Sequence, residues 1–88
     1  MVKQRIAVVT GGMGGLGETI STKMAGAGYR VVVTYSPSNT KYRSWLEEMK
    51  GRGFNFPAYP VDVPDYDDCA RICQRIQSEA GAIDILVN

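Results

Sequence analysis

Histidine is absent from the 88 residues, and cysteine occurs only twice, at Cys69 and Cys73. The two thiols stand four apart rather than in the C-x-x-C spacing of a metal or redox pair. With no histidine to complete a set, no metal site is expected. On a helix they would share a buried face with Ile72 and Ile76 as reduced core thiols, which implies a cytoplasmic protein. Neither sign of charge dominates: Lys and Arg number 10, Asp and Glu 9, for a net charge of +1. That balance gives no reason to expect a nucleic acid or an anionic membrane as partner. No run approaches the roughly 18 apolar residues of a membrane span. The opening MVKQRIAVV has a short apolar run without a small-residue cleavage site, so it reads as a first strand and not as a secretory signal.

What is present is a regular alternation. Arg5 to Thr10 and Arg30 to Tyr35 are β-rich apolar runs, and the stretch between them, Gly17 to Ala27, is helical, with Leu16, Ile20, Met24 and Ala27 near one face. Gly28 fits a C-terminal helix cap. A second helix runs to about Lys50 with Trp45, Leu46 and Met49, ended by Gly51 and Gly53. Phe54 to Val61 reads as a third strand, and its Pro57 and Pro60 predict an edge position, since proline cannot donate to a ladder. Pro64 is expected to open a third helix with Asp65, Asp67 and Asp68 at its start and the stripe Cys69, Ile72, Cys73, Ile76 and Ala80. Ile83 to Val87 is a fourth strand.

The order β-α-β-α-β-α-β predicts an α/β fold, the N-terminal half of a doubly wound parallel-sheet (Rossmann) domain with strand order 3-2-1-4. Residues 1–88 are therefore expected to be one partial dinucleotide-binding domain. Its fourth strand would leave an open edge that favours association or strand exchange.

Five glycines fall within the seven residues Gly11–Gly17, directly after the first strand. Such a turn brings backbone N–H groups to a phosphate at a helix N-terminus. Three templates fit in part. Gly12 to Thr19 approaches G-x-x-x-x-G-K-[ST], but Glu18 stands where the lysine should meet the β/γ-phosphates. Gly12, Gly14 and Gly17 satisfy G-x-G-x-x-G, yet no Asp or Glu occurs between Glu18 and Glu47 to bind a ribose 2′-OH. Thr10, Gly11, Gly15 and Gly17 satisfy T-G-x-x-x-G-x-G.

On this third pattern, with Val61-Asp62-Val63 and the closing DILVN, the chain resembles the short-chain dehydrogenase/reductase family. The resemblance implies that the loop from Gly11 through Met13, Gly14, Gly15, Leu16 and Gly17 holds a dinucleotide. It implies that Asp62 meets the adenine amino group and Val63 its ring, and that Asn88 begins an N-N-A-G motif at the cofactor. Asp62 also suits a helix cap before Pro64, and the two roles can coexist.

A carboxylate after strand two would repel a ribose 2′-phosphate, which carries about two negative charges. Here Ser36, Ser38 and Lys41 stand instead, so the expected cofactor is NADP(H), with Lys41 favoured over Arg43 for the phosphate. The loop TGGMGG and the block SPSNTKYRSWLEEMKGRGFNF resemble, within the family, the acetoacetyl-CoA reductases of polyhydroxyalkanoate synthesis, where arginine is common at the place of Lys41. The implied substrate is an acyl-CoA, the implied assembly a homo-oligomer.

The family's chemistry uses a serine and a Tyr-x-x-x-Lys pair, and none of the five tyrosines here has lysine four residues on. No catalytic residue is therefore assigned. The chain is expected to be the N-terminal, cofactor-binding piece of an NADPH-dependent 3-ketoacyl-CoA reductase. The alternatives are a piece of a 3-oxoacyl-carrier-protein reductase, or a non-catalytic nucleotide-binding or self-associating module.

Overall fold

Strands β1 (Ile6–Val9) and β2 (Arg30–Tyr35) are apolar without alternation because both faces of the sheet are covered. In a computed structural model that describes residues 4–62 and 65–87, successive side chains divide between two cores. Ile6, Val8 and Val32 join Tyr59, Val61, Ile72 and Ile76 on one face. Val9, Val31 and Val33 join Met49 and Phe56 on the other. Helix α3 (Tyr66–Glu79) closes the first core through Ile72 and Ile76. Helices α1 (Gly15–Gly26) and α2 (Tyr42–Gly51) close the second through Ile20, Met24 and Ala25 and through Trp45, Leu46 and Met49. Each fully buried aliphatic side chain contributes about 1.5–3 kcal/mol, so the cores on both faces are needed to hold so small a sheet.

With β3 (Ala58–Pro60) and β4 (Ile85–Val87) the sheet has the order β3-β2-β1-β4, and every pairing is parallel. This is the predicted α/β architecture with helices on both faces. No described helix is long and apolar enough to cross a membrane.

Several boundaries differ from expectation, each for a local reason. The third strand, expected from Phe54 to Val61, forms only over Ala58–Pro60. Pro57 has no N–H and contributes its carbonyl alone, to the Val33 N–H at 2.9 Å. Its edge position is as predicted. The fourth strand, expected from Ile83, begins at Ile85. There the Asp84 side chain replaces a ladder partner: its Oδ2 accepts from the Ile6 N–H at 2.9 Å, while its own N–H donates to the Ile6 carbonyl at 2.9 Å.

In α1, Leu16 and Ala27 do not join Ile20 and Met24. Leu16 is 77% exposed in the first turn, Ala27 is the exposed C-cap, and Ser21 is buried instead. Gly28 follows at φ +99°, as a capping glycine should. Helix α3 starts at Tyr66 behind an Asp65 cap, and Pro64 lies outside the described residues. Cys69 and Ala80 pack beside the first core, and Cys73 is half-buried without joining it.

Candidate functional site

The C-terminal ends of β1, β2 and β3 lie side by side in the sheet, and the glycine loop, the Ser36–Lys41 turn and Asp62 follow them directly. That edge is where open α/β sheets bind ligands.

The loop after β1 is fixed at its base by Thr10, whose N–H and hydroxyl both donate to the Val87 carbonyl, at 2.8 and 3.0 Å. Gly11 turns the chain at φ +64°, a conformation that side chains resist. Its N–H reaches the Thr34 hydroxyl at 3.4 Å, and the Gly12 N–H reaches the Thr34 carbonyl at 3.3 Å. From beneath, the buried Ser21 hydroxyl donates to the Gly12 carbonyl at 3.3 Å. A Cβ on Gly12 would lie 2.6 Å from Val33 Cγ1, and one on Gly17 would lie 2.1 Å from the Gly11 carbonyl oxygen. Backbone conformation at Gly11 and packing at Gly12 and Gly17 therefore account for three of the five glycines. At Gly14 a Cβ would meet nothing closer than 3.7 Å, and at Gly15 nothing within 4 Å.

Gly14 is the N-cap of α1 and offers no side-chain cap. The N–H groups of the first turn have no intrahelical acceptors and sit at the positive end of the helix dipole, an arrangement that suits an anion. Leu16 stands exposed beside them. Glu18, in the same turn, is engaged elsewhere: its Oε1 accepts the Trp45 indole N–H at 2.7 Å, and its Oε2 lies 3.7 Å from Arg52 Nη1.

The turn after β2 is largely self-bonded. The Asn39 N–H donates to the Ser36 carbonyl at 2.9 Å, the Ser36 and Ser38 hydroxyls lie 2.9 Å apart, and the Lys41 N–H donates to Asn39 Oδ1 at 2.8 Å. Asn39 also points its amide at Met13 Sδ, 3.9 Å away, which joins this turn to the glycine loop. Met13 itself is half-buried against the second core. Lys41 is the exposed N-cap of α2 and takes part in no ion pair among the described residues.

Arg43 is held differently. Its Nε donates to the Tyr42 hydroxyl at 3.0 Å, with its guanidinium carbon 5.7 Å from the Tyr42 ring centroid. Tyr42 in turn stacks on Tyr35, centroids 4.4 Å apart and planes inclined by 10°. Burial, then the neighbouring Tyr42 phenol, pushes the Tyr35 pKa above its ordinary value.

Past β3, the Asp62 N–H donates to Asp68 Oδ2 at 2.8 Å, and its carbonyl accepts from the Asp65 N–H at 2.9 Å. The helix cap weighed for Asp62 belongs to Asp65, whose Oδ1 accepts from the Asp68 N–H at 3.2 Å. The reason is position: Asp65 immediately precedes the first helical residue. The Asp62 carboxylate is left exposed, with no hydrogen bond among the described residues. Asp68 is held below the ordinary carboxylate range by the Asp62 N–H and then by the Arg71 guanidinium. Val63 and Asn88 lie outside the described residues.

The structure thus brings the glycine loop, Ser36, Lys41 and Asp62 to one edge. It adds Thr34, Ser21 and Tyr42, which carry no motif signal. A buried threonine at a strand end and a serine within a helical apolar stripe are the only hints the sequence holds of the first two.

The sequence matches the family described as short chain dehydrogenase over residues 5–88. An acetoacetyl-CoA reductase of Cupriavidus necator is 42% identical over 85 residues, 97% of this chain and 35% of that protein. A 3-oxoacyl-acyl-carrier-protein reductase of Staphylococcus aureus is 34% identical over 88 residues, 100% of this chain and 36% of that protein. This chain therefore spans little more than a third of the length of these curated relatives. Among solved structures, a Bacillus thuringiensis protein described as a 3-oxoacyl-reductase superposes with a TM-score of 0.84 at 31% identity, covering 98% of this chain and 36% of its own. A metagenomic short-chain oxidoreductase in complex with NADP gives 0.78 at 29% identity, covering 93% and 37%.

Proposed function

The chain belongs to the short-chain dehydrogenase family, and on that premise we propose that it is the NADP(H)-binding part of a reductase converting acetoacetyl-CoA to a 3-hydroxyacyl-CoA. The observation that carries the cofactor reading is Gly15. Neither backbone conformation nor packing calls for a glycine there, yet its bare backbone opens onto the uncapped first turn of α1. A pyrophosphate approaching that turn explains the missing side chain.

The residues present fit a dinucleotide. The backbone of Gly11, Met13, Gly14, Gly15, Leu16 and Gly17 would line the pyrophosphate, with Leu16 covering its exposed side. Ser36 and Lys41 would meet a ribose 2′-phosphate, since no carboxylate stands in the turn to repel it and the Lys41 ammonium has no ion-pair partner among the described residues. Asp62, whose carboxylate makes no hydrogen bond among the described residues, would accept from the adenine amino group beside Val63, and Asn88, next in sequence after β4, would meet the cofactor. The bound dinucleotide supplies hydride to the substrate carbonyl. No Tyr-x-x-x-Lys occurs among the 88 residues, so this reading gives them cofactor binding and not proton donation.

The likeness to the Cupriavidus reductase, at 42% identity, supports an acyl-CoA substrate. The Staphylococcus relative supports an acyl-carrier-protein substrate as the second reading. The intact protein is read as a cytoplasmic homo-oligomer. Titration of the chain with NADPH and with NADH, followed through Trp45 fluorescence, tests the cofactor assignment: NADPH should bind more tightly, and tighter NADH binding overturns it. Comparison of acetoacetyl-CoA with acetoacetyl-carrier protein as substrate of the intact protein decides between the two reductases.

A further inference from the structure

Two cations stand within three residues at the start of α2, and their side chains are in different states. Lys41 makes no ion pair among the described residues, whereas Arg43 is bonded through Nε to the Tyr42 hydroxyl. Tyr42 cannot easily swing to release it, because its ring lies flat on Tyr35. Arginine would be the stronger phosphate ligand, with a planar fork of donors where lysine offers a point charge. Arg43 stands two residues beyond the Lys41 N-cap, on the first turn of α2, the helix that follows the Ser36–Lys41 turn.

We propose that Tyr42 is a positioning residue that holds Arg43 away from the ribose end of the cofactor site and leaves Lys41 as the cation that reads the 2′-phosphate. The inference rests on the NADP(H) reading above. The arrangement has two parts with separate chemistry. The Tyr35–Tyr42 stack fixes the ring, and the Tyr42 hydroxyl tethers the guanidinium. Tyr42→Phe removes the hydroxyl tether and keeps the ring stack, leaving only the weaker ring–guanidinium contact at 5.7 Å on Arg43.

The test measures dissociation constants of NADPH and NADH by calorimetry for the chain and four variants. Lys41→Ala should weaken NADPH roughly tenfold or more and leave NADH unchanged, as loss of a charge-assisted phosphate contact requires. Arg43→Gln alone should change neither. Adding Tyr42→Phe to Lys41→Ala should restore most of the NADPH affinity, and adding Arg43→Gln to that pair should abolish the restoration. A merely structural role for Tyr42 would move NADPH and NADH together and would give no rescue. The proposal is overturned if the Lys41→Ala/Tyr42→Phe chain binds NADPH no better than Lys41→Ala, or if Arg43→Gln alone weakens NADPH. If the unaltered chain shows no preference for NADPH over NADH, the cofactor reading falls, and this inference with it.

Discussion

Trp45 and Glu18 join the two helices on one face of the sheet: the indole N–H donates to the carboxylate at 2.7 Å, and the indole stacks on Phe56 with centroids 5.7 Å apart. The acid that disqualifies the loop as a nucleotide-hydrolase motif is thus a strut between α1 and α2. Glu18→Ala should destabilise the fold by about 1 kcal/mol, the ordinary net value of one hydrogen bond, while Glu18→Gln retains an acceptor and most of the stability. Urea unfolding followed through Trp45 emission measures both. Equal losses for the two variants would assign the effect to something other than this bond.

Gly15 and Gly17 differ by a carbon's worth of space. At Gly15, alanine meets nothing within 4 Å and improves helix propensity, so Gly15→Ala should leave stability unchanged or raise it by about 0.4–1 kcal/mol. NADPH affinity should fall all the same. Gly17→Ala places a methyl 2.1 Å from the Gly11 carbonyl oxygen and should cost about 1–3 kcal/mol through forced backbone movement. Thermal melts and NADPH titrations of both variants check the contrast. A Gly15→Ala chain that binds NADPH normally would remove the functional reason for that glycine.

Asp68 links the start of α3 to Asp62, and its folded-state pKa lies below its ordinary value of 3.8. A depressed carboxyl means that the unfolded chain takes up the proton first. Its stabilising contribution is complete above the ordinary value and disappears as pH falls through the folded one. Asp68→Asn should therefore be less stable at neutral pH and should show a flatter loss of stability below about pH 4. Urea midpoints recorded across that range give the comparison.

Strand β4 pairs only with β1 among the described residues, and its Leu86 is 53% exposed. An apolar strand with a free edge is a site for association. The chain should sediment as a concentration-dependent oligomer, and Leu86→Lys should shift it toward monomer. A monomer at every concentration would contradict this.

The legible parts of the fold were those where one physical signal acted alone. Arg30–Tyr35 was readable to the residue because a β-branched run between Gly28 and Pro37 admits one interpretation. Phe54–Val61 was not, because the same apolar pattern that marks a strand also marks Phe54 and Phe56 as core residues outside the ladder, and Pro57 breaks it. By periodicity Leu16 reads as the first residue of a buried stripe, yet it is exposed. Periodicity does not say where a helix passes beyond the sheet that covers it. In the candidate site, spacing marks the glycine loop and charge marks Lys41. Neither marks Thr34, because its contribution depends on a hydroxyl and a carbonyl that reach across from β2 to the loop after β1. Nothing in the local sequence of either segment records that meeting.

The turn from Ser36 to Lys41 closes largely upon itself, with bonds among Ser36, Ser38, Asn39 and Lys41, and it reaches outward through Asn39 to Met13 and through the Lys41 carbonyl, which accepts from the Trp45 N–H at 3.1 Å. Its folding therefore draws little on the two cores, and they draw little on it. Six residues can be exchanged there as a cassette: an aspartate grafted at Ser36 would rewrite which ribose is accepted while the sheet beneath keeps every one of its pairings. On the NADP(H) reading proposed above, specificity is separable from architecture, and the seam between them runs between Tyr35 and Ser36.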